Sequence, residues 1–269
     1  MSLDWNSTIL NTEAEAVDLF IELRGKQWLC RGQSECYPFL LPSIDRGNLQ
    51  HLSRLEKLTL ERRSIDLFRD TARFFAHPGE QVALADDIVA MMVLRHYGVP
   101  TRLLDWSMSP YVAAYFAVCG SDTDEGEIWT FDRAEYEQKG KQQWKRCPKT
   151  TIDGSGDDDK FDAKLTAFIV EDLYDWFICG FYKPGFPRQN AQDGVYTLTA
   201  RFGHDHAEAI AHLLGDSSRY HRYVIPTLLK PGLRRLLRES HGIWSGSLFP
   251  DSAGAAKTAG TVFTNNDSV

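Results

Sequence analysis

Long apolar runs are missing from this sequence: no uninterrupted stretch of about 20 apolar residues exists, so no transmembrane helix is predicted. The N-terminus has neither the basic segment nor the apolar segment of a secretory signal peptide. The five cysteines are odd in number and form no C-x-x-C pair, which argues against a disulfide framework or a structural zinc site. We therefore expect a cytoplasmic protein that has no membrane partner and binds no metal.

The common nucleotide-binding and hydrolase signatures are missing as well. The sequence contains no P-loop, no G-x-G-x-x-G, no G-x-S-x-G and no H-E-x-x-H pattern. Lysine and arginine number 30 against 37 aspartate and glutamate, so the net charge of -7 does not indicate a nucleic-acid partner, although a local basic groove remains compatible with it. The acidic run at residues 153–162 lacks the residue order of a calcium loop and is interpreted as a solvated loop.

What the sequence does contain is the pattern of an α+β protein. Helical and strand patterns are interspersed without the regular alternation of a doubly wound sheet, which predicts a single domain with a small mixed or antiparallel sheet flanked by helices. We expect an N-terminal helical segment at residues 1–25, the main domain at 26–252 and a flexible tail at 253–269. The predicted helices cover residues 12–25, 52–75, 86–97, 111–119, 207–214 and 233–240, and the predicted strands cover residues 27–31, 127–131, 195–199 and 220–225.

The first candidate site segment is Arg31-Gly32-Gln33, at the predicted end of a strand that buries Trp28 and Cys30. A guanidinium fixed beside the open backbone of a glycine can hold a phosphate or a carboxylate through two parallel hydrogen bonds. An equally plausible interpretation is that Arg31 pairs with a nearby acid and only fixes the end of the strand. The residues alone leave both interpretations open.

The second candidate segment is the polar stretch at residues 95–110, between two strongly apolar helices. It ends at Ser109, a predicted N-cap, where free N–H groups and the positive end of the helix dipole favour an anion. The alternative is structural: Asp105 forms an ion pair with Arg102 or Arg31, Trp106 fills the core, and the histidine of the segment is a buried structural one.

Together the two segments resemble the FRG domain, a family named for an aromatic-Arg-Gly signature. The resemblance rests on Arg31-Gly32-Gln33 and on the run from His96 to Trp106, and in this chain Cys30 replaces the aromatic residue. Weaker likeness extends the domain over residues 26–252. Since the family is widespread in bacteria and phages, the resemblance implies a bacterial protein, and an effector in phage defence or related conflict. The family has no established activity.

A more distant resemblance, to ADP-ribosyltransferases, implies a mechanism with NAD as substrate. Arg31 would hold a phosphate of NAD, and the segment containing Asp105, Ser107 and Ser109 would supply the middle motif. Gln192 would occupy the place of the catalytic glutamate, just before a strand. A neutral amide can bind a ribose hydroxyl but cannot stabilise an oxocarbenium-like charge as a carboxylate does.

The carboxylates that could replace the missing glutamate are Asp105, Asp193 and Glu127. The expected site therefore has three candidate catalytic residues and six ligand-binding residues. The candidate catalytic residues are Asp105, Gln192 and His96, and the ligand-binding residues are Arg31, Gly32, Gln33, Arg102, Ser107 and Ser109.

Three hypotheses follow for these residues. The first is a nucleotide pocket of an NAD-dependent ADP-ribosyltransferase or NAD glycohydrolase. The second is a non-catalytic module that binds a nucleotide, a nucleic acid or a protein. The third is a purely structural ion network of Arg31, Arg102 and Asp105.

Overall fold

The computed structural model describes residues 5–74, 78–146, 177–180, 187–199 and 201–260. Within these residues seven strands form one sheet, in the order β1-β7-β4-β2-β3-β6-β5. The strands are β1 (Ser7–Ile9), β2 (Leu29–Gln33), β3 (Leu103–Ser107), β4 (Gly126–Phe131), β5 (Phe177–Gly180), β6 (Gly194–Thr199) and β7 (Tyr220–Ile225). Only the β1–β7 pair is parallel, so the sheet is mixed, and the predicted α+β class is confirmed.

The described residues also form ten α-helices, joined by short 3-10 turns. Polar N-caps begin several of them, including Ser53 and Ser109, whose side chains accept from backbone N–H groups of the first turn. The helices are α1 (Glu13–Lys26), α2 (Arg54–Ala72), α3 (Asp87–His96), α4 (Pro110–Val118), α5 (Arg133–Arg146), α6 (Pro187–Ala191), α7 (His206–Leu214), α8 (Lys230–His241), α9 (Ser245–Leu248) and α10 (Ser252–Gly260).

Two local predictions differ from the structure. The strand predicted at residues 27–31 begins at Leu29 and continues as β2 to Gln33, because Gly32 and Gln33 pair with β4. The tail expected to be flexible from residue 253 is helical as far as Gly260. The predicted solvated loop at residues 153–162 lies outside the described residues.

Helices cover both faces of the sheet. Alternate residues of β2 face opposite sides, as the pleat requires: Leu29 joins the core formed with α5 and α7, whereas Cys30 joins the core formed with α1, α4 and α8. A third core lies between α2, α3 and the ends of β3 and β6. Because these layers bury the strands on both faces, the strands provide a rigid frame for the residues at their ends.

Two glycines bring α4 unusually close to the sheet. A Cβ atom on Gly32 would lie 1.7 Å from the carbonyl oxygen of Ala113, and one on Gly126 would lie 2.1 Å from that of Ala117. Neither position leaves room for a side chain, so glycine is required on β2 and on β4. The glycine of the Arg-Gly-Gln segment therefore sets the distance between helix and sheet.

The sheet separates between β2 and β3. These two strands share one register pair, Cys30 with Ser107, whereas β2 pairs with β4, and β3 with β6, over five positions each. Beyond Cys30 the two strands diverge, and the residues at their divergent ends face a common space. This separation is where the fold places the candidate site.

Candidate functional site

A cavity of about 560 Å³ lies at the separation between β2 and β3. This volume is within the range typical of small-molecule sites, roughly 300–1,000 Å³. Six of the nine predicted site residues line it, brought together from two strands, a helix end and the turn before β6. They are Arg31, Gly32, His96, Asp105, Ser107 and Gln192.

Arg31 is the residue of β2 whose guanidinium bridges the separation. Its Nη1 donates to the Asp105 carbonyl oxygen at 2.8 Å, and its Nε donates to Gln33 Oε1 at 3.2 Å. Gln33 is held in turn by Glu127, whose Oε1 accepts from Gln33 Nε2 at 2.7 Å. No described residue accepts a hydrogen bond from Arg31 Nη2. Burial lowers the pKa of Arg31 to about 10, so the guanidinium stays charged at neutral pH.

Asp105 forms an ion pair with Arg95 within the cavity. Its Oδ2 accepts from Arg95 Nη2 at 2.6 Å and from Arg95 Nε at 2.9 Å, while Arg31 Nη1 lies 3.8 Å away. Burial acts to raise the pKa of Asp105, but the charges and hydrogen bonds of the two arginines outweigh it and lower that pKa. The side chain nevertheless remains 41% exposed. Asp105 is thus an ionised carboxylate that a ligand can reach.

A third arginine, Arg188 on α6, lies in the wall formed with the C-terminal segment. Its Nη1 donates to the His96 carbonyl oxygen at 2.8 Å, and its guanidinium lies 4.3 Å from the centre of the Phe249 ring. His96 Nε2 is 3.5 Å from Asp251 Oδ2. Burial and the charge of Arg188 lower the pKa of His96, while Asp251 opposes that shift.

Gln192 and Ser107 connect this wall to the sheet. Ser107 Oγ donates to the Gln192 carbonyl oxygen at 2.8 Å, and Gln192 Nε2 donates to the Leu248 carbonyl oxygen at 3.0 Å. Gln192 therefore lies just before β6, as its sequence position implied. Its amide nitrogen, however, is engaged by the protein itself.

Arg102 was predicted to bind ligand, but it does not line the cavity. Its guanidinium is buried and forms two hydrogen bonds with Glu61, from Nη2 at 2.6 Å and from Nε at 3.0 Å. It also lies 4.1 Å from the centre of the Phe202 ring. Arg102 precedes β3 and faces the interface with α2, so it secures that helix. The hypothesis of one network through Arg31, Arg102 and Asp105 is therefore wrong as stated.

Two more predicted ligand-binding residues lie outside the cavity lining. Ser109 is the N-cap of α4, and its own N–H donates to Ser107 Oγ at 3.0 Å, so the first turn of α4 is largely satisfied from within. Gln33 lies behind Arg31 and orients it.

Neither Glu127 nor Asp193 supplies a carboxylate to the cavity. Glu127 is fully buried against Arg222, with Nη2 and Oε2 2.7 Å apart. Asp193 is exposed at a left-handed turn with a φ of 45°. Both are excluded as substitutes for the missing glutamate by their position. Among the described residues lining the cavity, the carboxylates are Asp105 and Asp251.

Sequence reasoning missed Arg95, Arg188, Tyr196 and Asp251 as lining residues. Arg95 is the first residue of the polar stretch and could have been included on that ground. The weaker part of the FRG resemblance runs through Arg188 and Asp251, but it assigned them no role, because α6 and the C-terminal segment approach the cavity only through the tertiary fold. Burial raises the pKa of Tyr196, and its hydroxyl is therefore neutral.

A larger groove, of about 700 Å³, follows α2 and the start of α3. Three of its charged residues are paired: Arg62 with Asp87 at 2.7 Å, and Glu61 with Arg102. The groove contains none of the predicted site residues. Despite its smaller volume, the cavity at the separated strands is the better candidate site, because six of the nine predicted site residues line it.

In the described parts of the chain, no group of three or more histidine, cysteine, aspartate or glutamate side chains is arranged to hold a metal ion. No helix among the described residues has the length and apolar character needed to span a membrane.

Part of the site falls within the segment that a family comparison recognises. Neither the curated proteins nor the solved structures provide a match to this chain, and nothing among them links it to ADP-ribosyltransferases. The extension of the predicted domain from residue 126 to residue 252 stays a prediction. Residues 26–126, which include Arg31, His96 and Asp105, match the model of the FRG domain family, and the chain therefore contains an FRG domain.

Proposed function

We propose that the cavity binds a nucleotide through its phosphate groups, with NAD or its ADP-ribose part as the ligand. One observation carries the proposal: Arg31 is fixed by hydrogen bonds to Gln33 and to the Asp105 backbone, so that its Nη2 is left for a ligand. A guanidinium held in one orientation binds phosphate with little further loss of entropy.

The charge of the cavity supports an anionic ligand. Three arginines line it, Arg31, Arg95 and Arg188, against two aspartates, Asp105 and Asp251. With neutral histidine the lining residues carry an excess of one positive charge. Since the whole chain is acidic, this local excess would help to select the cavity as the place where an anion binds.

For catalysis, Asp105 is the best-placed residue. An ionised carboxylate beside the ribose would stabilise the positive charge that develops at C1′ as the bond to nicotinamide breaks. Nicotinamide then leaves with the bonding electrons, and water or a nucleophile of a target molecule bonds to C1′. His96 and Gln192 would act as positioning groups for the ribose hydroxyls.

A non-catalytic binding module is the second candidate, and a specific observation favours it. The negative charge of Asp105 is compensated by two hydrogen bonds from Arg95. Gln192 is a neutral amide whose nitrogen donates to the Leu248 carbonyl oxygen. Both features weaken the stabilisation of a cationic transition state, but neither interferes with phosphate binding.

A thermal-shift titration with NAD, ADP-ribose and ATP tests the binding. We expect NAD or ADP-ribose to raise the melting temperature of the wild type, and Arg31→Ala to weaken binding by about 10- to 100-fold through loss of a charge-assisted hydrogen bond. Arg31→Lys, which keeps the charge but lacks the planar fork, is the matched variant and should recover only part of the affinity. No shift with any of the three nucleotides, on a cooperatively melting protein, would contradict the proposal.

Release of nicotinamide from NAD distinguishes the two candidates. Turnover that is lost in Asp105→Asn, while binding of ADP-ribose persists, supports the enzyme. Binding without turnover selects the module. If turnover occurs, expression of the wild type in bacteria should deplete cellular NAD and stop growth, as expected of a conflict effector, and Asp105→Asn should do neither.

A further inference from the structure

The cavity has two separate cationic ends. Arg31 lies on β2, where its charge interacts with Asp105, Arg95, Arg46 and Glu127. Arg188 lies on α6, near Asp251, Asp105, Tyr196 and Arg95. In the described parts of the chain no hydrogen bond or ion pair joins the two arginines. Both adjoin the Arg95–Asp105 pair: Arg31 Nη1 donates to the Asp105 carbonyl oxygen, and Arg188 Nη1 donates to the carbonyl oxygen of His96, the residue after Arg95.

The middle of the cavity is electrostatically compensated. Arg95 donates from Nε and Nη2 to Asp105, and from Nη1 to Ser43 Oγ at 3.0 Å. All three of its guanidinium nitrogens are therefore engaged. Arg95 consequently offers little to an anion. The positive ends at Arg31 and Arg188 are separated by this ion pair and do not form one continuous basic patch.

Arg188 is held in one orientation, with donors still available. Its Nη1 is fixed by the His96 carbonyl oxygen, and the Phe249 ring supports one face of the guanidinium. Among the described residues no acceptor bonds to Nε or Nη2. These two nitrogens form the edge of a guanidinium that engages a phosphate through two parallel hydrogen bonds.

We propose that the cavity prefers a nucleotide with two phosphate groups on one ribose: the 5′-phosphate or diphosphate at Arg31, and a 2′- or 3′-phosphate at Arg188. A ligand with phosphate at a single position satisfies one cationic end, whereas a ribose that carries phosphates on both sides satisfies both. This inference rests on the proposed function, because it assumes that a nucleotide phosphate binds at Arg31.

Asp251 is the carboxylate that lies near Arg188 in the cavity. Its Oδ1 accepts from the Gly254 N–H at 2.7 Å, and its Oδ2 lies 3.5 Å from His96 Nε2. Its charge raises the pKa of Arg188, against the lowering caused by burial. A phosphate bound at Arg188 would meet the repulsion of this carboxylate. Removing the charge of Asp251 should therefore strengthen binding of the second phosphate.

Isothermal titration with ligand pairs that differ by one phosphate tests the inference. The pairs are NAD and NADP, ADP-ribose and its 2′-phosphate, and AMP and the 2′,5′- and 3′,5′-bisphosphates of adenosine. In the wild type we expect the second phosphate to lower Kd by about tenfold or more in at least one pair, as a charge-assisted contact does. Arg188→Gln should reduce that gain to about twofold or less, and it should weaken the singly phosphorylated partner less than the doubly phosphorylated one.

Two variants keep the result interpretable. Asp251→Asn should increase the gain from the second phosphate by a larger factor than it raises the affinity for ADP-ribose, an outcome that a merely destabilised protein would not produce. Arg31→Ala should weaken both members of each pair by the same factor. Melting temperatures of all three variants check that they fold.

The outcomes separate this inference from the proposed function. If NAD and ADP-ribose bind through Arg31 and the second phosphate adds nothing in any pair, the two-end model is wrong and the proposed function stands. A gain that persists in Arg188→Gln and is unaffected by Asp251→Asn would also overturn it. If no ligand of any pair binds, both proposals fail.

Discussion

Two arginines of one segment, seven residues apart, form ion pairs of the same length in opposite environments. Arg95 lies 2.6 Å from Asp105, and Arg102 lies 2.6 Å from Glu61. The exposed fractions of the side chains are 16% and 41% in the first pair, but only 1% and 7% in the second. Distance alone therefore does not identify a site. Solvent access to the carboxylate distinguishes the pair that a ligand can reach from the pair that holds α2 in place.

The region around Arg102 and Glu61, which is sealed from solvent, contains a second buried ion pair. Lys57 Nζ lies 2.7 Å from Asp45 Oδ1, and the ammonium group and the Arg102 guanidinium both lie against the Phe202 ring. Each charge is thus hydrogen-bonded to a partner and packed against an apolar surface. Removing one partner leaves the other charge buried alone, which costs far more than the intact pair contributes.

The largest expected effect is that of breaking the sealed pair. Arg102→Ala should lower the free energy of unfolding by about 3–5 kcal/mol, because Glu61 is left buried without its counterion. Urea unfolding followed by circular dichroism measures the loss. Arg95→Ala is the matched variant in the open region, and it should cost clearly less, because Asp105 keeps solvent and Arg31 nearby. Equal losses would invalidate the distinction between the two regions.

The close approach of α4 to the sheet gives the next largest effect. Gly32→Ala should destabilise the protein by roughly 1–3 kcal/mol or more, because a backbone carbonyl lies where the methyl group would be. Gly140→Ala on α5 is the control: its Cβ has nothing within 4 Å, and alanine in a helix should be neutral or stabilising. Thermal melts of both variants compare them. A well-folded Gly32→Ala protein with an unchanged melting temperature would contradict the geometry.

Two histidines, the buried His206 and the cavity-lining His96, should respond differently in titrations. His206 is fully buried, where burial, followed by the charges of Arg31 and His204, lowers its pKa to about 3. In the unfolded chain its pKa is near 6.5, so between these values the unfolded state binds one more proton, and stability falls as the pH falls below about 6.5.

The slope attributable to His206 is up to about 1.4 kcal/mol per pH unit. His206→Gln should flatten the pH dependence of unfolding by this amount over that range. In NMR titrations the ring signals of His206 should not change above about pH 4. The imidazole of His96, open to the cavity, should instead shift when ligand is added. Titration of His206 near its unfolded value would refute the assignment.

The elements that the sequence predicted well are those with local signals. The Ser109-Pro110 pair marks the start of α4, and short apolar segments mark β4 and β7. The strands that were missed, β1 and β5, have three and four residues and lie at the two edges of the sheet. Such short segments carry too little periodicity to be distinguished from loops.

The site was predictable where its residues belong to short segments that stand out in the sequence. Arg31 and Asp105 were identified from polar residues that interrupt apolar elements. Arg188 and Asp251 were given no role, because their proximity to the cavity depends on how α6 and the C-terminal segment fold back across the sheet. The inclusion of Arg102 among the expected lining residues has the same origin: sequence shows the charge but not the direction of the side chain, and its partner Glu61 lies 41 residues away.

The smallest expected effect separates a cap from a ligand. Ser109→Ala should cost about 1 kcal/mol of stability, the usual value of an N-cap, and should leave the affinity for ADP-ribose unchanged, because Ser109 does not line the cavity. Ser107→Ala removes the hydroxyl that bonds both the Ser109 N–H and the Gln192 carbonyl oxygen, so it should reduce stability and affinity together. Chemical denaturation and calorimetric titration of the two variants measure this difference. Loss of affinity in Ser109→Ala would show that the N-terminus of α4 takes part in ligand binding. The binding site would then extend beyond the separation of β2 and β3.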